Sequence, residues 1–117
     1  MPNLTDYTVV QDSSVTLPKS NGDIDHDYPK FGAAGLASGR SILLFKINPE
    51  GTAELKVTLN NADVLTTTFG TDPTRTWHEI VDDGVLKESD NVLTITRNDG
   101  DGTLEISDVL VMYQHEV

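Results

Sequence analysis

The chain has 117 residues, with 19 Asp and Glu against 8 Lys and Arg, a formal net charge of −11 and no cysteine. That length suits one domain with its own core. The charge excludes nucleic acid and anionic membrane surfaces as partners, because both are held by clustered Lys and Arg. Disulfides and thiol chemistry are absent. No apolar run approaches the ~18 residues of a membrane-spanning helix. The start, Met1-Pro2-Asn3-Leu4-Thr5-Asp6, lacks the basic and then apolar stretch of a secretory signal, so a soluble protein is expected. Its acidity reads first as solubility. The 13 aspartates against 5 lysines also fit a salt-rich habitat or cation binding.

In chain order, residues 7–10 and 15–17 read as two short strands. Residues 19–39 form the longest stretch without strand signals, and such a loop in a compact domain is functional or disordered. The apolar run Ile42-Leu43-Leu44-Phe45, within 40–47, predicts a strand covered on both faces. Residues 53–59 alternate strictly, apolar at odd positions and polar at even ones, as a half-buried strand requires. Asn60-Asn61 then predicts a tight hairpin turn, since asparagine tolerates positive φ, and the threonine-rich 64–69 returns antiparallel. Residues 82–89 give the one helical hint, a single turn at most. Strands at 91–96 and 103–113 follow, separated by the turn signal Asn98-Asp99-Gly100-Asp101-Gly102. In the last strand Leu104 and Ile106 share one face while Val109, Val111 and Tyr113 fall on the other. Either a bulge near Ser107-Asp108 restores one core face or the strand is buried on both. No internal repeat is visible. Short strands with turns between them predict a single all-β antiparallel sandwich over 1–117.

Four stretches carry a family resemblance over roughly residues 40–113. Leu55-Lys56-Val57-Thr58-Leu59-Asn60-Asn61 looks like a strand ending in a Leu-Asn-Gly hairpin, with Asn61 at the glycine. Trp77-His78-Glu79-Ile80 and Val85-Leu86-Lys87 look like an edge strand and the turn after it. Asp90-Asn91-Val92-Leu93-Thr94-Ile95 looks like a Gly-x-Asn-x-Leu-x-Ile strand, with Asp90 near the glycine, and residues 104–111 look like a closing strand. Together they resemble galactose-binding-like jelly rolls, a family that includes many carbohydrate-binding modules. The resemblance implies a jelly-roll topology. It also implies a structural calcium near the closing strand, which makes Asp108, an acid inside an apolar strand, the first choice of metal ligand. The competing reading of Asp108 is hydrogen bonding to backbone amides at a bulge.

The 19–39 loop holds the remaining candidates. Asp23, Asp25 and Asp27 are spaced like the opening of an EF-hand, but Tyr28 stands where that loop needs glycine and Ala34 where it needs glutamate. An irregular calcium site and a solvated acidic loop both remain open. Tyr28 and Phe31 offer flat apolar rings for a sugar face, against the reading of Phe31 as cover for one end of the sandwich. Trp77 divides in the same way between packing and stacking. For catalysis, His26 lies between Asp25 and Asp27, but neighbouring strand residues point to opposite faces. The sequence has no nucleophile elbow, zinc-type histidine pair or phosphate loop. The leading expectation is therefore a non-catalytic module for a carbohydrate or similar polar ligand, with Asp23, Asp25, His26, Asp27, Tyr28 and Phe31 as the site. The alternative is a structural or protein-interaction module, as a subunit of a homo-oligomer or larger assembly.

Overall fold

The computed structural model describes residues 3–116. These residues form nine strands: β1 (Asn3–Gln11), β2 (Val15–Leu17), β3 (Asp25–Asp27), β4 (Ser41–Glu50), β5 (Ala53–Leu59), β6 (Ala62–Phe69), β7 (Arg75–Val81), β8 (Leu93–Arg97) and β9 (Thr103–Glu116). One antiparallel sheet runs β1-β9-β4-β7, with β2 also paired to β9. The other runs β3-β8-β5-β6. The two sheets make an all-β jelly-roll sandwich.

Period-two alternation builds the core between them. In β5, Ala53, Leu55, Val57 and Leu59 are buried while the residues between them reach solvent. Leu93 and Ile95 of β8 join them, facing Leu43, Phe45 and Ile47 of β4. Burying a Leu, Ile or Val side chain contributes about 1.5–3 kcal/mol, and this row of fully buried side chains is what holds the sheets together. The Asn60-Asn61 turn has φ of 52° and 68°, the double left-handed geometry of a tight hairpin between β5 and β6. Gly100 has φ of 97°, and a Cβ there would strike the Thr52 carbonyl, so glycine is required where this turn packs against the start of β5.

In β9 the bulge reading holds. Partners shift from Lys46↔Ser107 to Leu44↔Leu110, with Asp108 at φ 52°. The extra residue turns Val109, Val111 and Tyr113 onto the same buried face as Leu104 and Ile106. Three expectations are corrected. Residues 82–89 form turns and bends without a helix. The 19–39 segment contains a strand, β3, hidden because its three residues, Asp-His-Asp, carry no apolar alternation. The run in β4 is covered on one face only: Leu43 and Phe45 lie in the core, whereas Ile42 is 37% exposed.

Candidate functional site

β3 is an edge strand. It pairs with β8 through Asp25↔Thr96, His26↔Ile95 and Asp27↔Thr94, and its other edge is open. Arg97 N–H donates to the Ile24 carbonyl at 2.9 Å and Tyr28 N–H to the Leu93 carbonyl at 3.0 Å, extending the ladder at both ends. Phe31 adds an isolated bridge to Asn91. The segment that looked like a free loop is thus sewn to the sheet by its backbone.

That pairing sets the side-chain directions. Asp25 and Asp27 point outward, each accepting a hydrogen bond at 2.7 Å from the hydroxyl of Thr96 and Thr94 respectively. Asp23 sits in the preceding turn, where its N–H donates to Asn21 Oδ1 at 2.9 Å and its carboxylate accepts from Asn21 Nδ2 at 3.0 Å. Beside them a concavity of about 640 Å³ is lined by Lys19, Gly22, Asp23, Ile24, Asp25, His26 and Asp27. It offers three carboxylates and one ammonium, so acceptors and a charged donor meet in one groove.

His26 and Tyr28 point the other way, beneath the sheet. Their rings meet edge to face at 4.6 Å between centroids. Among the described residues, neither imidazole nitrogen has a partner, nor does the Tyr28 hydroxyl. Burial, with the Lys19 ammonium adding to it, holds the imidazole below its usual 6.5. Burial also pushes the Tyr28 phenol up. Both groups stay neutral at pH 7. Tyr28 is only 3% exposed, which corrects the expectation that its ring stacks on a ligand: as the second residue after His26 it falls on the inward face. Phe31 is half-buried against the core, as end cover.

Asp108 is likewise not the buried carboxylate that its apolar neighbours suggest. The bulge turns it to solvent, 56% exposed and 3.7 Å from the Lys46 ammonium. Among the described residues, no three His, Asp or Glu side chains gather as a metal site would require.

Trp77 lies at the far edge, on β7. Its ring packs edge-on against Phe69 at 5.3 Å, the Arg75 guanidinium sits 5.3 Å from its centroid, and its indole N–H donates to Glu79 Oε1 at 3.1 Å. These contacts favour packing. Lys19, Thr94 and Thr96 belong to the groove and its border although the sequence reading passed over them. The alternation Leu93-Thr94-Ile95-Thr96 was the available signal for an outward threonine pair.

No known protein family matches the chain, and no curated protein does. Solved structures do. Dimeric latent PorU from Porphyromonas gingivalis superposes on 99% of this chain with a TM-score of 0.77 at 10% identity, and the chain spans 13% of PorU's length. A family 35 carbohydrate-binding module from Clostridium thermocellum covers 91% of this chain and 97% of its own, with a TM-score of 0.62 at 12% identity. The CBM36-1 domain of a multidomain xylanase from the hindgut metagenome of Trinervitermes trinervoides covers 96% and 100%, with a TM-score of 0.61 at 13% identity. At such identities the likeness is one of fold: the chain has a β-sandwich like that of the carbohydrate-binding modules.

Proposed function

We propose that this chain is a non-catalytic carbohydrate-binding module whose ligand lies in the groove along the open edge of β3. The observation that carries the reading is the groove's lining, in which Lys19 donates, Asp23, Asp25 and Asp27 accept, and the half-exposed Ile24 offers a small apolar surface. A polyhydroxylated ligand needs that mixture of donors and acceptors. The shared fold with carbohydrate-binding modules supports it. The groups are suited to holding a ligand. Asp25 and Asp27 are oriented by threonine hydroxyls, and the one histidine that lines the groove has both ring nitrogens buried. Hydrogen bonds to charged groups contribute about 1.5–3 kcal/mol each. Without an aromatic platform, a groove of this kind gives micromolar to millimolar affinity, about −8 to −4 kcal/mol.

A glycan array followed by calorimetry on the best oligosaccharide tests the proposal. Asp25→Ala and Asp27→Ala should each weaken binding about tenfold or more with an unchanged melting curve. Wild-type affinity in both variants would move the site elsewhere. Binding to no glycan on the array would remove the carbohydrate reading altogether.

A further inference from the structure

Exposed large hydrophobic side chains are concentrated on the outer face of the β1-β9-β4-β7 sheet. The pairing register assembles them into two adjacent rows that cross four strands. One row is Tyr7–Met112–Ile42–Ile80 and the other is Val9–Leu110–Leu44–His78. Tyr7 is 62% exposed, Val9 51% and Ile80 52%. Seven of these eight side chains are apolar, on a sheet face that in a lone sandwich would be polar.

Charge restricts what can cover this face. The chain carries −11, so two copies repel through most of their surfaces. The two apolar rows hold no carboxylate. Lys46 stands at one border, where the adjacent Asp108 is already paired with it, and Arg40 at the other, beside Ile42, Met112 and Gln114. The outer face of the opposite sheet, by contrast, presents Asp25 and Asp27, with Asp63 paired to Lys56 at 3.7 Å. Like charge therefore opposes association least across the apolar rows. Size is also adequate. Four strands at ~4.8 Å spacing, taken with the border row on each side, make a face of about 500 Å² in projection. That is the size of a small interface, under ~600 Å² per partner, as weak dimers have.

We infer that this face is the interface of a homodimer, in which two copies pack their five-stranded sheets face to face. A patch that meets its own copy is self-complementary under a two-fold axis. The inference is independent of the groove, which belongs to the other sheet and stays open in such a dimer.

Sedimentation equilibrium of the whole chain from about 1 to 500 µM tests it, a range that spans dissociation constants typical of weak to moderate dimers. The mass should rise with concentration from 12.8 kDa toward twice that value. The midpoint should move to lower concentration in 0.5 M NaCl, because salt screens the repulsion and leaves apolar contact intact. Ile80→Asp should weaken association at least tenfold. Thr66→Asp, which adds the same charge on the opposite face, should change it much less. Ile80 is half-exposed on an edge strand, and circular dichroism would show whether the variant folds. If it does not, the double change Ile42→Thr and Ile80→Thr keeps strand-forming residues and tests the same face. Monomer at every concentration would overturn the inference, and an environment-sensitive dye that then binds the wild type but not the double variant would assign the face to another partner. Equal weakening by Ile80→Asp and Thr66→Asp would overturn it too, because net charge and not this face would then control association.

Discussion

The outer faces of the two sheets have the same geometry and opposite chemistry. Across the four-stranded sheet, one row reads Asp25–Thr96–Lys56–Thr66 and the next Asp27–Thr94–Thr58–Asp63. Across the five-stranded sheet the equivalent rows are almost wholly apolar. Backbone pairing is satisfied equally in both, so the difference lies only in the outward residue of each alternating pair. Threonine keeps β propensity without an apolar side chain, which lets β6 and β8 stay strands while wetting their outer surface. Isoleucine, leucine and valine keep the same propensity and leave β1, β4 and β9 with a second surface to bury. One face is finished in water and the other is not.

This contrast can be broken or sharpened by substitution. The largest effect should come from Val57→Asp. Val57 is 1% exposed in the core that both sheets share, and a charge there has no partner. A cost of about 4 kcal/mol or more is expected, whereas Lys56→Asp, one residue away on the polar face, should cost under ~1 kcal/mol. Urea denaturation measures both, and similar costs would show that the β5 register is wrong.

Asn91→Ala comes next. The side chain is fully buried and donates to the carbonyls of Phe31 and Lys87 at 3.0 and 2.7 Å. It also accepts from Lys87 N–H at 2.8 Å and Asn60 Nδ2 at 2.9 Å. Its loss leaves several buried groups unpaired, for about 2–3 kcal/mol. It should also loosen the segment that carries Phe31, read as faster amide exchange at residues 28–33. A cost near zero would mean that water replaces the amide.

Smaller still are paired changes on the two faces. Thr96→Val removes the donor to Asp25, and Ile42→Thr removes an apolar side chain from the opposite face. Each should shift the stability of the monomer by about 0.5 kcal/mol or less, as for exposed positions. A loss above ~2 kcal/mol at either would show that its face is packed within the monomer, and the comparison would fail there.

Much of this was legible in residues. Strict alternation placed β5, the Asn60-Asn61 pair placed its hairpin, and the phase change at Ser107-Asp108 left two readings, of which the bulge is the one found. Asp90, read as standing near a glycine position, has φ of 56°. β3 was not legible because strand character in Asp-His-Asp comes from pairing to β8 and not from its own side chains. That omission misdirected the site: with no strand assigned, Tyr28 read as a free aromatic, and only the β3–β8 register turns it inward. Asp108 misled in the reverse sense, since the bulge, one of the two readings of that strand, also rotates its carboxylate out to Lys46. The apolar run in β4 was read as covered on both faces. Its outer side meets no second layer among the described residues.

The smallest expected effect separates the polar face from what lies beneath it. His26 is on β3 between the two outward aspartates, yet its ring sits under the sheet with both nitrogens unpartnered, against Tyr28. Desolvation, and then Lys19, lower its pKa below 6.5, and the Asp27 charge opposes them only in part. The unfolded chain therefore takes up a proton more readily than the folded one as pH falls past 6.5, so stability rises with pH across that region. It is full above 6.5, declines as pH drops from 6.5 toward the lower folded value, and levels off once both states are protonated. Asp6, held below its usual 3.8 mainly by its hydrogen bond with His115, loses its contribution as pH falls through that value and below it, so its window opens at lower pH than that of His26. The melting temperature should fall between pH 7.5 and 5. His26→Leu should flatten that slope while Asp27→Asn, on the outward face, leaves most of it. An equal slope in wild type and His26→Leu would mean that the imidazole is hydrated in the folded state, and the division of β3 into a wet face and a dry one would be wrong.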